Sequence, residues 1–235
     1  MARAAPGAVA GGNGADVIRS FLLLLAVALP GPLKRAYYRR VFGWRIGRGV
    51  RVGLSFVDAR TVDLDEGCRI GHFNVFRGLA ELRVGRGSHV ANFNQAFGTL
   101  GLPGFPSRLL VGQWVSLMSR HFLDVAGVVT IGDGVTFGGR DTQVWSHSLA
   151  FDEQGRRSLR PLDVTVGDAA YLGARVTLVG CSVPAGAVVG AGSVLTRSFP
   201  PDPTGRRLLI AGNPAAVRKT YPPAPAAEPA RSDPA

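Results

Sequence analysis

A six-residue unit recurs along this chain and leaves few folds open to it. Each copy begins with an aliphatic residue, usually followed by glycine. Two turn-like residues, a small or branched residue and a variable one complete it. Clear copies are Ile46-Gly-Arg-Gly-Val-Arg51, Val52-Gly-Leu-Ser-Phe-Val57, Ile70-Gly-His-Phe-Asn-Val75, Val111-Gly-Gln-Trp-Val-Ser116 and Ile131-Gly-Asp-Gly-Val-Thr136. The pattern is cleanest toward the C-terminus, at Val166-Gly-Asp-Ala-Ala-Tyr171 and Leu172-Gly-Ala-Arg-Val-Thr177. It resumes, one residue short near Cys181, at Val183 and Val189. No single copy can bury its own apolar side chain, so the copies must stack, each aliphatic on its equivalent in the next coil. The expectation is an all-β solenoid, a parallel β-helix of hexapeptide repeats preceded by a helical segment.

Composition agrees. The 235 residues include 32 glycines and are 46% hydrophobic but only 8% aromatic, which suits many tight turns between short strands and disfavours a helical bundle. Cys68 and Cys181 stand far apart in no metal-type cluster, as reduced cytosolic thiols do. The formal charge of +11 is concentrated: Lys34, Arg35, Arg39, Arg40, Arg45, Arg48 and Arg51 follow one another with no acid between them. No helix-turn-helix, zinc finger or RNA-binding aromatic signature accompanies them, so nucleic acid is not the expected partner. The basic run follows the apolar stretch Phe21–Leu29, which is far shorter than the roughly 20 residues of a membrane span. Residues 16–51 are therefore expected to meet an anionic membrane surface or to cap the solenoid. In the first case Lys34, Arg35, Arg39 and Arg40 would face headgroups, with Tyr37 and Tyr38 at the interface. Ala26-Val27-Ala28 has the look of a leader-cleavage site, but the apolar run before it is short. The expected location is cytoplasmic, peripheral on the inner face of the cell membrane.

The chain divides into a disordered start (1–15), a helical segment (16–43), the solenoid (44–199), a C-terminal arm (200–221) and a disordered tail (222–235). Asp16 is placed to cap the helical segment, and Pro30-Gly31-Pro32 should break it in two. Residues 97–109 and the charged residues 148–163 fall out of phase and should leave the coil as loops, where function concentrates.

The segments Val166-Gly-Asp-Ala-Ala-Tyr-Leu-Gly-Ala-Arg-Val-Thr-Leu178, Val188-Val-Gly-Ala-Gly-Ser-Val-Leu-Thr-Arg-Ser-Phe-Pro200 and Ile210-Ala-Gly-Asn-Pro-Ala-Ala-Val-Arg-Lys219, in that order, resemble the last coils of the hexapeptide-repeat acyltransferases. Pro30-Gly-Pro-Leu-Lys-Arg35 and Ser119-Arg-His-Phe-Leu-Asp124 are similar to a subgroup that modifies cell-surface polysaccharides. The resemblance implies a left-handed β-helix, a homotrimer with sites between subunits, and acetyl-CoA or another acyl-CoA as co-substrate. It implies transfer of the acyl group to a hydroxyl of a saccharide or lipid-linked acceptor. Transfer to the nitrogen of an amino-sugar or small amine is the alternative. A non-catalytic solenoid that binds or scaffolds is the third reading.

His147, in Val144-Trp-Ser-His-Ser148, stands where the family carries its catalytic histidine, before a loop and about 20 residues ahead of the Val-Gly-Asp coil. An imidazole, with an ordinary pKa near 6.5, can take a proton from the acceptor and return it to the thiolate. His121, between Arg120 and Asp124, is the second catalytic candidate; His72 and His89 read as solvated or packing residues. Asp124 and Asp152 are candidates to orient an imidazole, and Trp145 to wall the acceptor pocket. By resemblance, the Ala174 N–H serves the thioester or its oxyanion, the Ala191 backbone meets pantetheine, Thr196 and Arg197 approach the CoA phosphates, and Arg218 the adenosine phosphate. Ser198 stands where an acid often follows, and Pro203–Leu209 lengthens the link to Ala211. Ser116 and Thr142 occupy the positions five before His121 and His147, so the paired histidines of the zinc enzymes sharing this fold are missing and no metal is expected.

Overall fold

The structure, a computed structural model, describes residues 14–223, apart from the side chains of Ala15 and Asp16. The expected Asp16 cap and all but the innermost residues of the two expected disordered tails lie outside the described residues. Helix α1 (Gly14–Ala28) and helix α2 (Gly31–Phe42) are separated at Leu29 and Pro30, where proline removes a helical donor. Gly43 ends α2 in the left-handed conformation at φ 66°, returning its N–H to the Tyr38 carbonyl.

From Arg45 onward the chain winds as a parallel β-helix with three faces. On the first face Ile46, Leu64, Val84, Val111, Ile131, Val166 and Val183 stack inward, coil upon coil. Val52, Ile70, Val90, Leu117, Phe137, Leu172 and Val189 do so on the second. Val57, Phe76, Ala96, Leu123, Val144, Leu178 and Leu195 form the third stack. These are the hexad aliphatics or their equivalents, all of them buried. Each large aliphatic among them contributes about 1.5–3 kcal/mol by leaving water. The strands Phe56–Leu64 and Val75–Val84 run unbroken round the vertex between the third and first faces. The parallel stack extends past residue 199, because Arg207–Ala211 lies on Val188–Val189 before pairing antiparallel with Ala216–Tyr221.

Both departures from the repeat leave at the vertex between the third and first faces. The first spans only residues 99–107, since Gln95–Gly98 and Arg108–Val111 remain coil strands. The second is no irregular loop: His147–Phe151 pairs antiparallel with Arg157–Pro161 as a hairpin, and His147 is its first residue. Ladder pairing satisfies the hairpin's backbone groups where it stands out from the coils.

The helices close the first coil. Leu23 and Ala26 join the solenoid core, and Arg19 reaches Asp58 at 3.1 Å. Of the two readings of this segment, the one that put Lys34 and Tyr38 at a membrane is corrected for both residues, which turn inward as the capping reading has it. Lys34 is buried, its Nζ donating to the carbonyls of Val27 (2.8 Å), Gly53 (2.7 Å) and Val52 (3.3 Å). It ties the end of α1 to the first coil, and burial lowers its pKa. Tyr38 is buried against Trp44 with ring centroids 4.5 Å apart. Arg35 donates to Val50 O at 3.1 Å and Arg39 to Ile46 O, so both serve the same closure.

Candidate active site

His147 lies at the vertex that carries both excursions, with a third of its side chain exposed. Its Nδ1 is 2.9 Å from Asp124 Oδ1, on the preceding coil. That oxygen also accepts from the Ser146 N–H and Ser146 Oγ, each at 3.0 Å. Ser146 Oγ in turn accepts from the Gly127 N–H at 2.9 Å, and Ser146 O accepts from the Leu162 N–H at 2.7 Å. The base of the hairpin is thus pinned to the coil below it. A Cβ at Gly127 would collide with the Leu162 carbonyl, so this corner admits only glycine. A carboxylate can only accept, so in the neutral imidazole the proton sits on Nδ1 and the Nε2 lone pair is left free.

Beside the imidazole runs a row of half-buried aromatics. Trp145 stands edge-on to His147 at 6.3 Å between centroids, Phe122 lies 5.2 Å from Trp145, and Phe97 lies 6.0 Å from Phe122. Asp152 is remote from this centre. It holds Arg156 in the hairpin turn at 2.6 Å, and hydrogen bonds from the Arg156 backbone and side chain keep its carboxyl below the usual range.

Ala174 and Ala191 stack on each other at the opposite edge of the third face, where Gly192 N–H donates to Ala174 O at 2.9 Å. The equivalent N–H groups in early coils are each capped by a side chain of the next coil. Leu54 donates to His72 Nδ1 (3.2 Å), His72 to Asn92 Oδ1 (2.7 Å), and Asn92 to Ser119 Oγ (3.2 Å). At Ala174 and Ala191 the N–H groups have no such partner among the described residues, because Ala191 and Gly212 stand in the next coil where a capping side chain would be. Arg218 sits next along this edge, its Nε donating to Ala211 O at 2.9 Å. Thr196 and Arg197 lie instead at the far end of the third face, with the Arg197 guanidinium 5.3 Å from the Phe199 ring. One chain therefore separates His147 from Ala174 by the width of a face, roughly 15 Å for five extended residues.

The sequence matches no family model and no curated protein at a significant level. Solved structures do match. The polySia-specific acetyltransferase NeuO aligns over 81% of this chain and 86% of its own, at 18% identity and a TM-score of 0.59. This chain has the hexapeptide-repeat acetyltransferase fold. A hexapeptide-repeat-containing acetyltransferase from Vibrio cholerae O1 biovar eltor, complexed with acetyl coenzyme A, covers 90% of this chain and 91% of its own at 17% identity, with a TM-score of 0.45. A point variant of AntD, an N-acyltransferase from Bacillus cereus in complex with dTDP and coenzyme A, covers 75% and 84% at 13% identity, with a TM-score of 0.49.

Within this acetyltransferase fold His121 stands apart from His147. It is buried in a polar ladder that climbs one interior corner. Asn94 N–H donates to Asn74 Oδ1 (2.8 Å), His121 N–H to Asn94 Oδ1 (2.9 Å), and Thr142 N–H to His121 Nδ1 (3.2 Å). Its Nε2 is buried without a side-chain or backbone partner among the described residues, its ring stands 5.7 Å from that of Phe137 at 71°, and burial lowers its pKa to about 4. Asn74 and Asn94 fill the same hexad position, and their repetition was the available clue. Phe97 and Phe122 were missed, since outward residues of a coil carry no repeat signal. Among the described residues no group of His, Cys, Asp or Glu is arranged to hold a metal.

Proposed function

We propose that this chain transfers an acyl group, acetyl by family default, from acyl-CoA to a hydroxyl of a saccharide. The observation that carries the reading is the Asp124–His147 pair, which fixes the imidazole tautomer beside a row of aromatic rings. Nε2 of neutral His147 takes the acceptor's proton as its oxygen attacks the thioester carbonyl. The C–S bond breaks as the ester C–O bond forms, and the same nitrogen returns the proton to the departing thiolate. Asp124 stays ionised and stabilises the imidazolium between those two events. The uncapped N–H groups of Ala174 and Ala191 are of the kind that stabilises an oxyanion and holds an amide-rich pantetheine arm. Arg197 and Arg218 supply guanidinium groups for phosphate. Trp145 and Phe122 offer apolar ring faces to a sugar. His121 is assigned a structural role, because its imidazole lies inside the prism.

His147 and Ala174 lie on different edges of one chain, so the reading requires a neighbouring copy to bring its alanine edge beside this His147. That supports the homotrimer implied by the family resemblance. The test is incubation with acetyl-CoA and a panel of saccharides and amino-sugars, following free thiol. Thiol release should depend on a hydroxyl acceptor, and the product should be cleaved by alkaline hydroxylamine, as an ester is. A hydroxylamine-resistant product would be an amide and would move the assignment to N-acylation, as AntD performs.

A further inference from the structure

The outer face of α1 has no counterpart in the acyl-transfer chemistry. Val17, Ile18, Phe21, Leu24 and Leu25 form one helical stripe, each between 50% and 65% exposed, while Leu23 and Ala26 on the other side are buried. Leu33, at the start of α2, is 60% exposed as well. Single exposed apolar residues are ordinary, but a contiguous stripe without a charge marks a contact surface. No described helix is long and apolar enough to cross a membrane.

The same end of the solenoid carries exposed cations outside any ion pair. Arg40 on α2 and Arg48, Arg51 and Arg69 on the first two coils are exposed and have no carboxylate partner among the described residues. Arg45, Arg83 and Arg86, by contrast, are paired with Asp63, Glu81 and Glu66. Arg51 and Arg69 are direct ladder neighbours, so two like charges stand one strand spacing apart. Such a pair is self-repelling until an anion meets it.

From this arrangement we infer that the capped end of the solenoid docks on an anionic lipid bilayer. The α1 stripe enters the acyl boundary and the arginine rim meets headgroups. An apolar helix face bordered by positive charge is the pattern of interfacial helices. A second copy fits less well, because it would bring an identical positive rim against this one. The inference does not depend on the acyl-transfer reading. Docked this way, His147 stands four strand spacings, roughly 20 Å, beyond the first coil.

The test is flotation of the full chain with vesicles of phosphatidylcholine alone or mixed with phosphatidylglycerol. The wild type should float with the mixed vesicles at low salt and be released at high salt, where the headgroup attraction is screened. Exchanging Arg51→Ser and Arg69→Ser should weaken partitioning on the order of 25-fold, taking about fivefold per arginine. Leu24→Glu with Leu25→Glu should abolish flotation. All four side chains are exposed, and thermal melting checks that the variants fold. A wild type that ignores anionic vesicles at low salt overturns the inference without recourse to any variant. So does a Leu24→Glu, Leu25→Glu protein whose mass by light scattering falls below that of the wild type in the absence of vesicles, since the stripe would then cover a second copy.

Discussion

Replacing His147 by alanine should lower kcat by roughly 10²–10⁴, the span of one general acid–base group. The loss is large because the same nitrogen serves both proton transfers. CoA affinity should not change, since no phosphate or pantetheine contact is assigned to the imidazole. Asp124→Asn should also lower kcat, by up to roughly 10⁴, because the amide keeps the shape but not the charge that fixes Nδ1–H. Steady-state thiol release measures all three proteins. Full turnover by His147→Ala, with loss in His121→Asn, would place the base on the wrong histidine.

Stability should fall as pH drops from about 6.5 to about 4, and His121 should be a principal cause. Its pKa is 6.5 when unburied and about 4 in the folded chain, because the prism interior opposes the imidazolium. Between those values the unfolded state binds more protons than the native state, so acid favours unfolding. The stability is fully present above the unfolded value and is lost progressively below it, by ~3 kcal/mol at the lower limit. His121→Asn should remove that share and still fold. An asparagine Oδ1 can accept the Thr142 N–H just as Asn74 and Asn94 accept from the coils above them. Thermal melts of both proteins across this pH range measure the difference. Parallel curves would mean that the ladder histidine is already protonated or solvated in the native state.

The solenoid was legible because its period is written in single residues: an aliphatic per hexad, stacked in register on the next. Both excursions were legible as breaks of that period, although their shared vertex was not. That follows only from counting coils, which requires the pairing register. His147 was visible through its place before the charged segment. Asp124 was named only as one of two carboxylates, because the ladder that brings it under His147 joins residues 23 apart in sequence. His121 shows the opposite limit. A histidine flanked by Arg120 and Asp124 looks reactive on paper, yet its side chain alternates inward. Lys34 likewise reads as a surface cation until the carbonyls of Val27, Val52 and Gly53 surround it.

Calorimetric titration of the full chain with CoA tests the central claim most directly, because it needs no knowledge of the acceptor. Saturable binding is predicted, weakened by Arg197→Ala or Arg218→Ala and unchanged by His147→Ala. Absence of any saturable binding by the folded wild type at millimolar CoA would contradict the acyltransferase assignment.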